Sequence, residues 1–193
     1  MIISVPVTGL SMERAKLERE LERLHTACWG WALACCGRDH DTAAETLQTA
    51  YLKIVSGQTR FDGRSSVRTW VFGVVRLTAI EELRRQRTIH AREPGDDAEA
   101  GLAADPAPGA DEAAERSEER AALVAALGTL SARQREVLQL VFYHGMTIEE
   151  AAQVMHISLG SARTHYDRGK KALAFALAPM RSSARTTPRE VSP

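Results

Sequence analysis

Apolar residues recur along most of the chain with the three- and four-residue spacing of amphipathic helices. The clearest stripes are Leu47, Tyr51, Leu52 and Val55, then Val67, Trp70, Val71, Val74 and Leu77, then Val137, Leu138, Val141 and Phe142. We find no comparable run in which apolar and polar residues alternate, as they do in half-buried strands. The pattern therefore predicts an all-α fold.

A change of composition divides this helical pattern into two parts. Residues 91–111 are rich in Gly, Pro, Ala and Asp, and Leu102 is their only large apolar residue. Such a segment cannot bury enough surface to offset the entropy lost on ordering. We therefore expect two small helical domains, residues 12–90 and 112–178, joined by a flexible acidic linker at 91–111 and followed by a disordered tail at 179–193.

The formal net charge of zero conceals segregated charges. Residues 1–87 hold 13 Lys and Arg against 10 Asp and Glu, and residues 121–193 hold 9 against 5. Between them, residues 88–120 hold 3 basic and 10 acidic side chains. Two mildly basic blocks flanking an acidic one indicate a polyanionic partner. We expect the acidic block to discourage the chain from binding DNA on its own.

The C-terminal part contains three predicted helix starts. Ser131 with Gln134, and Thr147 with Glu150, have the spacing of capping boxes, and Ser158 or Ser161 can cap the third helix. Gly145 is expected to end the first helix. A short helix, a tight turn at 156–158 and a longer basic helix together predict a helix-turn-helix.

The second helix of such a unit can lie in the major groove of DNA, with its first turns against the base edges. Arginine matches the two acceptors of guanine, whereas residues further along the helix suit phosphates. The candidate DNA-contacting residues are Ser158, Ser161, Arg163, Thr164, His165, Arg168, Lys170 and Lys171. A helical bundle with a solvated basic face is the competing interpretation.

In the N-terminal part, a glycine- and serine-containing loop, GQTRFDGRSS, precedes a helix that carries arginines beside aromatic residues. This combination suits unstacked bases and backbone phosphates, as in single-stranded or melting DNA. Trp70 also fits a packed core, since an aromatic residue at helical spacing usually points inward.

Both parts resemble conserved regions of one family. LSARQREVLQL, GMTIEEAAQVM and GSARTHYDRGKKAL, within residues 130–177, are similar to the fourth conserved region of sigma-70-family factors of the extracytoplasmic-function (ECF) type. ETLQTAYLKI, RFDGRSSVRTWVF and VVRLTAIEELRRQR, within residues 19–87, resemble the second conserved region. LuxR-type regulators share the C-terminal module, but they usually carry a receiver or ligand-sensing domain in place of the second region.

The resemblance implies a sigma factor that binds RNA polymerase core and directs promoter recognition, DNA melting and transcription initiation. It implies docking on the clamp helices of the largest polymerase subunit by Glu45, Gln48, Tyr51 and Leu52. It implies contact with the downstream promoter element by Arg60, Phe61, Gly63, Ser65, Arg68, Thr69, Trp70, Arg76 and Arg84. The residues named above on the basic helix would read the upstream element, and an anti-sigma factor is implied as a further partner.

The chain departs from the family pattern at several positions. They are Thr49, where an acidic residue is common, Val71, Gly73 and Leu77 on the arginine-bearing helix, and His156, where glycine is common. Two alternatives to a sigma factor stay open, the second of them because of Thr49, Gly73 and Leu77. One is a stand-alone helix-turn-helix regulator that does not replace sigma, and the other is a sigma-like interaction module that has lost promoter opening.

Other classes of function have little support in the sequence. We find no nucleophile–base set, phosphate-binding loop or standard metal pattern, so we expect no catalysis, cofactor, metal or small-molecule substrate. The odd number of cysteines, Cys28, Cys35 and Cys36, argues against a disulfide framework, although a metal or redox role remains open. No apolar run is long enough for membrane insertion, and the first residues lack the features of a signal peptide. We therefore expect a cytoplasmic protein, for which Met1 and Met12 are both candidate starts.

Overall fold

The computed structural model describes residues 14–90, 121 and 123–178. Its helices are α1 (Arg14–Cys35), α2 (His40–Val55), α3 (Val67–His90), α4 (Ala132–Leu138), α5 (Ile148–Met155) and α6 (Leu159–Ala176). A helical stretch at 123–128 precedes α4, and the described residues contain no strand, which confirms the predicted all-α class. The predicted linker at 91–111 and tail at 179–193 lie outside the described residues.

Helices α1, α2 and α3 pack around a shared apolar core. Trp31 of α1 is fully buried and lies stacked against Phe72 of α3, with ring centroids 6.1 Å apart. Its indole Nε1 donates a hydrogen bond of 3.0 Å to the Phe72 carbonyl oxygen. Helix α2 begins at Asp39, whose carboxylate accepts hydrogen bonds from the backbone N–H groups of Asp41 and Thr42. This cap satisfies donors that have no partner within the first turn of the helix.

The C-terminal helices begin where the sequence predicts. Both capping boxes are present at Ser131 and Thr147, and the Ser158 hydroxyl accepts from the Ser161 N–H at the start of α6. His156 ends α5 in the left-handed conformation, with φ 53°, which a non-glycine residue rarely adopts. The chain then turns directly into α6. Helices α5 and α6 therefore form the predicted helix-turn-helix.

A π-helical turn, Gln139–Tyr143, continues α4 and changes which side chains it buries. The His144 N–H reaches back five residues to the Gln139 carbonyl oxygen at 3.1 Å. A π-turn holds more residues than an α-turn, so the side chains that follow Gln139 do not keep the regular α-helical spacing. Leu140 is fully buried instead, while Phe142 is 64% exposed. The periodicity that grouped Phe142 with Val137 is thus broken by the backbone.

The two helical parts pack against each other, with α5 lying on α3. Trp31, Phe72 and Val75 share one continuous apolar core with Leu140 and Met155. The sequence predicts two domains joined by a tether, and it carries no sign of this contact. The packing decides which of the candidate DNA-binding side chains face solvent.

Candidate nucleic-acid interfaces

Helix α6 presents a basic face to solvent. Arg163, Thr164, Arg168 and Lys171 are all exposed, and the last three lie along one stripe of the helix. Helix α6 packs on α4 and α5 through its opposite side, where Ala162 is fully buried. The geometry leaves the first turns of α6 open to a double helix, as major-groove reading requires.

The predicted residues of α6 differ in their surroundings. Ser158 and Ser161 are held at the helix start, with their hydroxyl oxygens 2.9 Å apart. His165 is half-buried, so it lies at the edge of the exposed face. The Lys170 ammonium lies 5.1 Å from the ring centroid of Tyr166, a cation–π contact that fixes its stem beside the basic face.

Gly169 explains how closely α6 approaches α4. A Cβ atom at this position would lie 3.0 Å from Leu138 Cδ1 and 3.3 Å from Gln134 Cβ. A larger residue would therefore push α6 away from its support. Gly169 was not among the candidates, although a glycine within a basic helix is a signal of close packing.

The outer face of α2 carries three of the four residues implied in polymerase binding. Glu45, Gln48 and Leu52 are exposed and share one side of the helix, and Leu52 is 63% exposed. An apolar side chain so exposed beside polar ones suits a protein partner. Tyr51 points instead toward α1, where its hydroxyl lies 3.4 Å from His25 Nδ1. Burial raises the pKa of the Tyr51 hydroxyl, so the side chain remains neutral.

The loop between α2 and α3 holds an aromatic pair at its centre. The rings of Phe61 and Trp70 have centroids 5.4 Å apart and are tilted by 54°, and both are half-buried. Gly63 adopts φ 75°, a conformation that favours glycine. Arg60 and Gly63 are exposed, and Ser65 is half-buried. Of the four predicted residues in this loop, two are thus exposed and two half-buried, and Phe61 packs on Trp70.

The arginines of α3 are divided between solvent and the interior. Arg84 is exposed near the C-terminal end, whereas Arg76 is 4% exposed. Arg76 Nε and Nη2 donate to Glu136 Oε1 and Oε2 of α4 at 3.3 and 3.2 Å, a bidentate ion pair. Thr69 is also buried, and its N–H donates to the Ser66 hydroxyl at 3.1 Å. Two predicted residues of α3 thus lie beneath the C-terminal helices or in the core.

Arg68 and His144 form a second contact between the two parts. Arg68 Nη2 donates to the His144 carbonyl oxygen, and its guanidinium lies 5.5 Å from the Phe72 ring centroid. The imidazole of His144 meets the rings of Trp31 and Phe72 edge-on, at centroid distances of 5.8 and 4.9 Å. Burial, together with the nearby Arg68 charge, lowers the pKa of His144 to about 4. His144 is therefore neutral at physiological pH.

Gly73 of α3 and His156 at the end of α5, two of the departures from the family pattern, lie next to each other where the two helical parts pack together. A Cβ atom on Gly73 would lie 3.7 Å from His156 Nε2, which is ordinary van der Waals contact. Sequence reasoning flagged both positions but could not connect them. It missed Glu136 as a functional candidate, because a glutamate within a helix carries no sign of a partner 60 residues away.

None of the three cysteines is exposed. All three are free thiols, with Cys28 and Cys36 buried. Burial raises the pKa of Cys28 to about 11 and also raises the pKa values of Cys35 and Cys36, which keeps all three protonated and poorly reactive. Within the described part of the chain, no group of three or more His, Cys, Asp and Glu side chains is arranged to hold a metal ion. No helix there has both the length and the apolar character of a membrane span.

Two family models match the chain, one on each helical part. The model described as Sigma-70 region 2 matches residues 21–89, and that described as Sigma-70, region 4 matches residues 120–173. The ECF RNA polymerase sigma factor SigX of Bacillus subtilis (strain 168) is 32% identical over 70% of this chain and 71% of its own length. The ECF RNA polymerase sigma factor SigC of Mycobacterium tuberculosis (strain CDC 1551 / Oshkosh) is 26% identical over 86% of this chain and 89% of its own.

Solved structures share the fold. The sigma factor RpoE from Bartonella quintana, solved in complex with the anti-sigma factor NepR, superposes with a TM-score of 0.67 at 24% identity, covering 83% of this chain and 96% of that one. CnrH, solved in complex with the cytosolic domain of CnrY, gives a TM-score of 0.58 at 18% identity over 87% and 91%. The chain therefore belongs to the ECF subfamily of sigma-70 factors, which bind RNA polymerase and direct it to promoters.

Proposed function

We propose that this sigma factor grips a promoter at two points through two domains, residues 12–90 and 112–178. Helix α6 reads the upstream element with Ser161, Arg163 and Thr164 in its first turns. The observation that carries this proposal is the exposure of Arg163 and Thr164 in the first turns of α6, directly after the Ser158 cap. Residues further along, Arg168 and Lys171 among them, contact phosphates.

Helix α2 provides the contact with RNA polymerase core. Its exposed Glu45, Gln48 and Leu52 match the clamp-binding positions implied by the family, and they place one apolar side chain next to two polar ones. Tyr51 supports this face from behind by packing against α1 rather than by touching the polymerase. Polymerase core fixes the separation of the two domains, so their promoter contacts add as tethered binding.

The loop before α3 captures a flipped base of the downstream element. The Phe61–Trp70 pair offers an aromatic surface, and Arg60, Gly63 and Ser65 lie close to Phe61 along the chain. Flipping a base costs a few kcal/mol of lost stacking, and stacking on an aromatic side chain offsets this cost. Arg84 extends the cationic surface along α3, and the deeper Arg68, Thr69 and Arg76 join it once the C-terminal helices move away.

The protein acts without catalysis of its own and works in the cytoplasm, where the polymerase is. The relatives RpoE and CnrH were solved with the anti-sigma factor NepR and with the cytosolic domain of CnrY. Superposition on both over more than four fifths of the chain supports an anti-sigma factor as a partner of this protein as well.

Transcription reconstituted from purified components tests the proposal. The full chain is mixed with core polymerase and genomic DNA, and transcript starts are mapped. We expect specific starts that are lost when Gln48→Ala is combined with Leu52→Ala. Glu22→Ala, an exposed change on α1 away from the α2 face, should leave them unchanged.

Two outcomes would contradict the proposal. Specific DNA binding with a symmetric footprint and no polymerase-dependent initiation would identify a stand-alone regulator. Polymerase binding without any specific start would identify an interaction module that has lost promoter opening.

A further inference from the structure

We propose that Leu77 and Ile80 of α3 form an apolar patch that recognises the methyl group of a thymine in the downstream promoter element. Leu77 is then a specificity-determining residue rather than a phosphate contact. The inference rests on the proposed function and deepens it, because it names a base for the DNA strand that the loop before α3 and Arg84 bind.

Leu77 and Ile80 face solvent on a helix that otherwise buries its aliphatic residues well. Their exposed fractions are 42% and 43%, whereas Val71 and Val75 are fully buried. The two residues are three apart, so they are neighbours on the helix surface. A single exposed aliphatic side chain is ordinary, but two neighbouring ones offer a continuous apolar surface to a ligand.

The patch lies in line with two surfaces that the proposed function assigns to DNA. Trp70, Leu77 and Arg84 are spaced seven residues apart, so they lie along one stripe of α3. Seven residues advance a helix by about 10.5 Å, which places Leu77 midway between the other two along the helix axis. Trp70 packs against Phe61, with the ring centroids 5.4 Å apart. A strand that stacks on this aromatic pair and reaches Arg84 therefore passes over Leu77.

The nearest acidic side chain along the helix does not keep DNA away from the patch. Glu81 lies one turn beyond Leu77, and its carboxylate is paired with the Lys53 ammonium of α2. Lys53 also donates a hydrogen bond of 3.5 Å to the Thr78 hydroxyl, which holds the ammonium against α3. The cation offsets the repulsion that a lone carboxylate would exert on a phosphate group.

The chemistry of the patch selects one part of a nucleotide. Aliphatic side chains have no hydrogen-bond donor for a phosphate, and neither donor nor acceptor for the polar edge of a base. They do make favourable contact with the 5-methyl group of thymine, which the other bases lack. Covering one methyl group changes affinity by roughly fourfold. Since Leu77 departs from the family pattern, this preference cannot be inferred from relatives.

A comparison of thymine with uracil isolates the methyl group, because the two bases differ in nothing else. The full chain, assembled with core polymerase, is bound to promoter fragments taken from the mapped transcript starts, with the strands kept non-complementary over the downstream element. Each position of the element, on each strand in turn, carries thymine in one fragment and uracil in the other. Fluorescence anisotropy gives the affinities. We expect the wild type to prefer thymine about fourfold at one position.

Leu77→Gln is the variant that tests the patch. It keeps the length of the side chain and removes the apolar end, and glutamine is a good helix former. The ratio of the affinities for thymine and uracil should fall from about four to about one. A general loss of affinity leaves such a ratio unchanged, so a structural defect alone would not produce this result.

Leu123→Gln is the matched control. Leu123 is also 42% exposed, but it lies in the helical stretch at 123–128, in the C-terminal part. This variant should keep the wild-type ratio. If Leu77→Gln loses the wild-type helicity by circular dichroism, Ile80→Gln, which removes the other half of the patch, decides in its place.

Three outcomes overturn the proposal: no position at which the wild type prefers thymine to uracil, a preference that survives in the folded patch variant, or a preference that the Leu123 control also loses. Weaker binding of Leu77→Gln to core polymerase without DNA would overturn it too, since the patch would then contact protein. Mapped transcript starts separate these failures from failure of the proposed function. Specific starts from the wild type uphold the sigma assignment whatever the thymine preference, and their absence would remove the basis of both proposals.

Discussion

Helices α3 and α6 both carry arginines implied in DNA binding, but the two helices offer them to solvent very differently. Arg163 and Arg168 of α6 are exposed, and the packed side of α6 is the opposite one. Arg76 of α3 is buried against a carboxylate, and Arg68 donates to a backbone oxygen. The same residue type at helical spacing is therefore exposed in one helix and covered in the other.

The difference shows what each helix needs from its surroundings. Helix α6 packs mainly on α4 and α5, and its basic side chains are exposed to solvent. Helix α3 lies between α1 and α2 on one side and the C-terminal helices on the other. Its Arg68 and Arg76 donate hydrogen bonds to acceptors in the C-terminal part. Readiness for DNA is thus a property of the packing around each helix rather than of its sequence.

The largest expected effect is on stability, and it separates the two classes of arginine. Arg76→Ala leaves the Glu136 carboxylate part-buried without its main partner, so we expect the free energy of unfolding to fall by about 3 kcal/mol. Arg163→Ala removes only an exposed side chain and should change this energy by less than about 0.5 kcal/mol. Urea denaturation followed by circular dichroism measures both.

Equal losses for the two variants would contradict this comparison, as would a negligible loss for Arg76→Ala. The double variant Arg76→Ala with Glu136→Ala serves as a further control. It should recover part of the stability, because removing both members of a buried pair leaves no uncompensated charge.

The second expected effect concerns DNA sequence rather than stability. Arg163 lies in the first turns of α6, where a bidentate contact with guanine is worth about 1–3 kcal/mol of discrimination. We therefore expect Arg163→Ala, assembled with core polymerase, to bind the native promoter more weakly and to relax base preference at one position of the upstream element. Competition among promoter variants mutated base by base measures the preference. Weakening that is the same for every promoter variant would show that Arg163 contacts only the backbone.

The third effect is the pH dependence of stability that His144 causes where the C-terminal part packs against α1 and α3. The pKa of His144 lies at about 4 in the folded chain against an ordinary value of 6.5, because burial and Arg68 disfavour the protonated form. The unfolded chain therefore takes up this proton first as the pH falls below about 6.5, and the folded state loses stability between about pH 6.5 and pH 4. We expect a loss of about 1–2 kcal/mol between about pH 7.5 and pH 5.

His144→Phe is the variant that isolates this effect. It keeps an aromatic ring between Trp31 and Phe72 and removes the unpartnered nitrogen. Thermal unfolding of the variant should depend on pH less steeply than that of the wild type over the same range. Parallel pH profiles for the two proteins would show that other groups cause the loss.

Local chemistry explains which features could be predicted from the sequence. The capping boxes at Ser131 and Thr147 depend on residues three apart, so a short pattern contains all the information. The left-handed conformation of His156 follows in the same way from a turn that must fit between two helices. From these local features the position of the helix-turn-helix in the sequence could be predicted.

Features that depend on distant residues could not be predicted. Nothing in the sequence near Arg76 indicates that it will pair with Glu136. Nothing near His144 indicates that its ring will pack against Trp31 and Phe72. The π-helical turn has no pattern of its own either, so the helical period placed Phe142 on the same stripe as Val137. Leu77 and Leu52 likewise fall on apolar stripes but are 42% and 63% exposed. Which side of each helix its neighbours cover depends on distant residues, and the local spacing does not contain that information.

The smallest expected effect concerns Lys171, which shares the exposed stripe of α6 with Thr164 and Arg168 but lies beyond its first turns. A lysine at this place meets the phosphate backbone as a point charge and reads no base. Lys171→Ala should therefore weaken promoter binding by the polymerase complex to a similar degree on all sequences, and it should reduce the slope of log affinity against log salt by about 1. Lys16→Ala on α1, an exposed cation far along the chain from both interfaces, controls for the change in net charge.

If Lys171→Ala instead altered base preference, or if Lys16→Ala lowered the salt slope equally, then the division of α6 into a base-reading start and a phosphate-binding remainder would be wrong. The contrast with α3 would then rest on exposure alone.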